Sequence, residues 1–227
     1  MPDRPRRAAP LAALLALLTL SGACGSPSPA PPVTSASESP SASASASRSP
    51  TARSAAGPVV VGRAPADLRD VDWKQVPVPG EFCGVPGLVR FGSGNEARAT
   101  STVWGQVEIV RGLRVQYGDS DEDGRDEGVL SVGCSDEVTM NDQVAMGFVV
   151  YTHAGNDLAV LGSITPRRKT DQYTTLLTGV EFAPGRIIVH EKWYRPNDAH
   201  CCPSGDATTV WLREDGRLTP GTTRVAS

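Results

Sequence analysis

Short apolar runs closed off by turn-forming residues constrain this chain more than any other feature. They occupy residues 107–110, 129–132, 148–151, 158–161, 187–190 and 209–212. Between them stand turn signals such as Asp123 with Gly124, Pro184 with Gly185, and Asp215 with Gly216. A period near two, rich in Val, Ile, Leu and aromatic residues, is that of strands rather than of a helical face. The expected class is therefore mainly β, an antiparallel sandwich or bent sheet with little helix. One short helical turn is expected from Pro65 to Arg69, where proline suits the first position. A second remains open between Asp171 and Leu177.

These runs begin only after a sharp change in composition. Residues 25–57 are almost entirely Ser, Ala, Pro and Thr, with no pattern able to bury a core, and they read as a disordered tether. Ahead of them, Arg4, Arg6 and Arg7 precede an apolar stretch at 8–20 and then Ser21, Gly22, Ala23 and Cys24. That order is a secretory signal, and the stretch is shorter than the roughly 20 apolar residues a membrane span requires. The small-small-Cys ending resembles the lipobox of bacterial lipoproteins, which implies lipidation at Cys24 after removal of residues 1–23. The alternative is cleavage after Ala23 and a free secreted product. The organisation is thus a signal at 1–23, a lipidated Cys and tether at 24–57, and one extracytoplasmic domain at 58–227.

The whole chain carries a formal net charge of −3; setting aside three Arg and one Asp of the signal, then two Arg and one Glu of the tether, leaves −6 on the domain. An acidic domain argues against nucleic acid or anionic lipid as its partner.

Four cysteines remain for the domain: Cys83, Cys134, Cys201 and Cys202. An even number in an exported chain reads first as disulfides. A bond between adjacent cysteines closes an eight-membered ring, so the expectation sends Cys201 and Cys202 to Cys83 and Cys134, in either order. The alternatives are a vicinal redox pair, or a cysteine activated by His200 or His190.

The richest chemistry lies at residues 119–127. Asp119, Asp121, Asp123 and Glu127 fall at positions one, three, five and nine of a loop, with Gly124 at six and the Arg125 carbonyl at seven. Hard oxygen ligands around a sharp turn suit Ca²⁺. Position twelve is Leu130 where an EF-hand needs a bidentate Glu, and no flanking helices are expected. The loop resembles the strand-loop-strand calcium sites of FG-GAP repeats, in a single copy. The competing reading is a solvated acidic hairpin.

No HExxH, phosphate-binding Gly loop, GxSxG or SxxK motif occurs in the domain. His153, His190 and His200 lack metal-ligand spacing. Asp157, Glu181 and Glu191 are scattered carboxylates, and Trp73, Trp104, Trp193 and Trp211 read as core or sheet-face residues. The run from Asp198 through His200, Cys201, Cys202 and Pro203 to Gly205, with the strand after it, resembles the end of the LppP/LprE family of actinobacterial lipoproteins. That resemblance implies a surface lipoprotein on the outer face of the cytoplasmic membrane and brings no activity with it. The expected function is a noncatalytic binding or structural module for a wall component, a protein or a small ligand, with Ca²⁺ as a candidate stabiliser. A secreted hydrolase or thiol oxidoreductase is the alternative.

Overall fold

The computed structural model describes residues 58–136, 143–168, 170 and 173–226. The chain divides into two units, Met1–Thr51 and Ala52–Ser227, and every described residue belongs to the second. The signal, Cys24 and the tether lie outside the described residues.

The strands are β1 (Val59–Arg63), β2 (Val78–Pro79), β3 (Leu88–Val89), β4 (Glu96–Ser101), β5 (Gly105–Gly118), β6 (Glu127–Asp136), β7 (Gln143–Ala154), β8 (Asp157–Ile164), β9 (Leu176–Ala183), β10 (Arg186–Trp193), β11 (Gly205–Glu214) and β12 (Arg217–Ala226). A six-stranded sheet runs β1-β8-β7-β6-β5-β4, a four-stranded sheet runs β12-β11-β10-β9, and β2 pairs with β3. Every pairing is antiparallel. The molecule is mainly β as expected, with one sheet system curled into a half-barrel. Helix is confined, among the described residues, to 3-10 turns at Leu68–Asp70 and Glu81–Cys83. The first overlaps the turn expected near Pro65; no helix forms over 173–177, where β9 begins instead.

The six-stranded sheet is covered on both faces. On β6, Leu130, Val132 and Cys134 point into one core with Val149 and Tyr151 of β7, under the irregular segment carrying Leu68, Val78, Phe82 and Val85. Val129, Phe148, Val150, Leu161 and Ile164 point the other way, against Leu177, Ile187, Val189 and Trp211 of the four-stranded sheet. A strand buried on both faces tolerates consecutive apolar residues. That is why 148–151 and 158–161 read as unbroken runs. A bulge where Val150 pairs with Gly162 and Tyr151 with Val160 adds one residue to β8 and shifts the parity after it, so that Ile164 faces the inter-sheet core as Leu161 does.

Polar anchors hold the irregular cover in place. The buried Arg111 guanidinium donates to the Trp73 carbonyl at 2.8 Å and the Gly94 carbonyl at 2.7 Å, and lies over the Phe91 ring. Burial holds its pKa below the ordinary arginine value. Tyr151 donates to the Pro77 carbonyl at 2.9 Å, and its buried hydroxyl is held well above the usual tyrosine range.

The cysteines depart from the expected pairing. Cys83 is bonded to Cys134, with Cα atoms 5.8 Å apart, and Cys201 to Cys202, with Cα atoms 3.8 Å apart. Cys83 and Cys134 belong to the core beneath the irregular cover. Cys201 and Cys202 belong to the connection between β10 and β11 of the other sheet. Ring closure between neighbours carries no information about which layer each cysteine occupies, and the layers decide the pairing.

Candidate binding cleft and acidic clamp

β6 and β10 both run from the acidic loop toward the opposite end of the sandwich, so the two ends can be compared directly. At the first end, Glu127 opens β6 with the inward parity of Val129 and is only 2% exposed. Its Oε2 accepts the Ser120 amide at 2.8 Å and the Ser120 hydroxyl at 2.6 Å. Its Oε1 accepts the hydroxyl of Thr152, on neighbouring β7, at 3.1 Å. Arg213, reaching from β11 of the other sheet, donates to the same oxygen at 2.7 Å and meets Asp121 at 2.6 Å. The Gly185 amide, in the β9–β10 turn, donates to the Ser120 carbonyl at 2.7 Å. These contacts close the sandwich at this end.

Asp119, Asp121 and Glu127 each offer a carboxylate oxygen within 4.8 Å of the others, close enough to hold a metal ion. Asp123 and Arg125 sit apart from that trio and engage each other. The Asp123 carboxylate accepts the Arg125 amide at 2.8 Å and a guanidinium N–H at 2.9 Å. Asp119 is occupied in shaping the turn, accepting the Glu122 amide at 2.6 Å and the Gly124 amide at 2.9 Å. Burial and the Glu127 charge raise the Asp121 pKa against the opposing pull of Arg213. Burial pushes Asp123 upward too, but the Arg125 amide and side chain together outweigh it and leave the pKa lowered. The guanidinium of Arg213 already supplies cationic charge where an ion would sit.

At the far end the sheets part around a cleft of about 900 Å³. Its rings and thioether come from Phe82, Trp104, Met146, Tyr173, Tyr194 and His200, with hydrogen-bonding groups from Gln143, Thr165 and Arg168. Trp104, at the β4–β5 turn, is 37% exposed, with Val103 beside it at 66%. Both are held at the tip by the Ser101 hydroxyl, which accepts their amides. The Tyr173 ring lies 4.8 Å from Tyr194 and 4.5 Å from His200, and Tyr194 donates to the His200 carbonyl at 2.8 Å.

A buried carboxylate shapes this wall as well. Glu191 Oε2 accepts the amides of Arg167 and Arg168, both at 3.0 Å, while Oε1 accepts the Thr209 hydroxyl at 2.7 Å. The turn that carries Arg168 is thereby tied to β10. Its guanidinium stacks on the Trp193 ring at 4.3 Å. Gly205 backs that ring, where a Cβ has no room.

The remaining sequence candidates are engaged elsewhere. Asp157 meets Arg63 at 3.5 Å and Glu181 meets His190 at 2.9 Å. His153 contacts the Pro65 carbonyl at 3.0 Å. Trp211 is buried between the sheets and Trp73 is packed on Tyr151, as core readings require; Trp104 is not. Sequence reasoning passed over Arg213, though a signal existed: residues 207, 209, 211 and 213 share one face of β11, so an arginine there points inward and needs a buried anion. Nothing in the spacing of Tyr173, Tyr194 and His200 announced their meeting.

No family model, curated protein or solved structure matches this chain. Among the described residues, no helix is long and apolar enough to cross a membrane.

Proposed function

We propose that the chain is a lipid-anchored, extracytoplasmic binding protein whose cleft takes a wall component bearing both sugar-like rings and hydrogen-bonding groups. The observation that carries this reading is the cleft itself, where the exposed or half-buried rings of Trp104, Tyr173 and His200 line the same space as the side chains of Gln143, Thr165 and Arg168. Pockets of several hundred Å³ with convergent polar groups are the usual form of ligand sites. Aromatic rings with a polar edge suit ligands that are apolar on one face and wet on the other.

The position of the amino end supports the same reading. Pro58 lies beside Gly216 in the β11–β12 turn, whereas the cleft borders the other end of β11. A chain held at Cys24 on the outer face of the membrane enters the described domain at Pro58, away from the cleft. The carboxyl-terminal resemblance to LppP/LprE lipoproteins agrees with that placement. The carboxylates at 119, 121 and 127 are hard ligands, and Ca²⁺ is the ion we infer for them. Its role is to stiffen the end that Arg213 already closes.

Two measurements test the proposal. Cys24→Ala should move the chain from the membrane fraction to the soluble exported fraction; retention on the membrane would refute the anchor. The full chain should co-sediment with purified cell walls, and Trp104→Ala with Tyr173→Ala should leave it in the supernatant. Equal sedimentation of the variant would refute the cleft.

A further inference from the structure

The two disulfides occupy opposite environments. Cys83 and Cys134 are essentially fully buried, at 0% and 1% exposure. Cys201 and Cys202 are both exposed, in the loop immediately after His200 of the cleft wall. Thiol–disulfide exchange requires a thiolate to reach a sulfur atom, so access decides which bond reacts. Only the second bond, of the two, offers that access.

The loop around it is shaped by contacts that do not involve sulfur. The Asp198 carboxylate accepts the Arg195 amide, the Ser204 amide and the Ser204 hydroxyl, each at 2.7 Å. The Cys202 amide donates to the Ala199 carbonyl at 2.9 Å, and Tyr194 holds the His200 carbonyl. Opening the bond therefore leaves the loop its fold.

From this contrast we propose that Cys201–Cys202 is a thiol–disulfide exchange site at the cleft wall, reduced by an external dithiol while Cys83–Cys134 stays closed. One thiolate of the dithiol attacks a sulfur of the pair, forming a mixed disulfide and releasing the other cysteine as a thiolate, which takes a proton. The second thiol of the reagent, as its thiolate, then displaces the remaining cysteine, which is protonated in turn. Two electrons and two protons pass to the protein, and the dithiol leaves as its cyclic disulfide. This assignment is independent of what the cleft binds.

The test uses the full chain, exported in oxidised form, treated with graded dithiothreitol, quenched in acid and alkylated with iodoacetamide before peptide mapping. The expected result is two labels on Cys201 and Cys202 at a reductant concentration at least tenfold below that which opens Cys83–Cys134. The circular dichroism spectrum should be unchanged at that point, and added oxidised glutathione should restore the bond. Opening of both bonds together, or of Cys83–Cys134 first, overturns the assignment. The Cys201→Ser, Cys202→Ser variant should fold with Cys83–Cys134 equally resistant. Earlier opening of that bond in the variant would show that the vicinal pair acts only as a structural brace, which also overturns it.

Discussion

The Arg213 guanidinium on β11 lies 2.7 Å from the buried carboxylate of Glu127 on β6, so this ion pair joins the two sheets of the sandwich. Removing one partner of such a pair leaves the other charge buried without compensation, which typically costs about 3–5 kcal/mol. Arg213→Met should lower the denaturant midpoint by an amount of that order. Arg213→Met combined with Glu127→Leu should recover most of the loss, since the orphaned charge is gone. A double variant no more stable than the single one would show that the bonds from Ser120 and Thr152 to Glu127, not the ion pair, carry the closure.

The same arginine controls how the acidic loop responds to calcium. With Arg213 beside Asp121 and Glu127, millimolar Ca²⁺ should raise the thermal midpoint of the native chain only slightly. In Arg213→Met the carboxylates lose their counter-charge, and calcium should raise the midpoint further. A ligand at about 100 times its dissociation constant adds about 2.7 kcal/mol. Adding Asp121→Ala should abolish the response. A chelator-insensitive midpoint in Arg213→Met would remove calcium from the account.

Acid should loosen the cleft wall before it unfolds the sheets. Hydrogen bonds from the Ser204 and Arg195 amides and the Ser204 hydroxyl lower the Asp198 pKa below its ordinary value of 3.8. A carboxylate with a depressed folded-state pKa contributes stability that is complete above the unfolded value. That contribution is lost as pH falls through the folded one. Amide hydrogen exchange across 195–204 should thus stay constant from neutral pH down to about 4 and, corrected for intrinsic rates, accelerate below it. Asp198→Ala should show the faster exchange already at pH 7. Unchanged exchange in that variant would mean the loop is held by its aromatic packing alone.

The buried disulfide should contribute more to stability than the exposed one. Cys83 and Cys134 are 51 residues apart in sequence, and loop-closure entropy for that span corresponds to about 4 kcal/mol. Cys83→Ser with Cys134→Ser should destabilise the chain by an amount of this order in denaturant unfolding. Cys201→Ser with Cys202→Ser should change it by well under half as much, because a bond between neighbours closes almost no chain. Equal losses would show that the loop after β10 anchors the outer sheet.

The legible parts of the fold were those written in local pattern. The strand runs at 107–110, 148–151 and 187–190 and the turn at Gly185 needed only periodicity and turn chemistry to be seen. The roles of Glu127 and Arg213 required knowing that two strands 86 residues apart face each other, although inward parity at both positions was readable. The pairing of Cys83 with Cys134 depends on which side of the central sheet the irregular segment covers, and no local signal carries that. The cleft is formed by a turn, a hairpin tip and two strand ends. Glu191 ties residues 167 and 168 of that wall to β10, and Tyr194 holds His200; neither contact is written in local spacing.

Bound ligand is located on the folded chain by mapping backbone amide shifts while soluble cell-wall fragments are titrated in. Saturable changes are expected at Trp104, Met146, Tyr173, Tyr194 and His200, with residues 119–127 undisturbed. Changes centred on the acidic loop, or none anywhere at concentrations that saturate co-sedimentation, would contradict binding at the cleft.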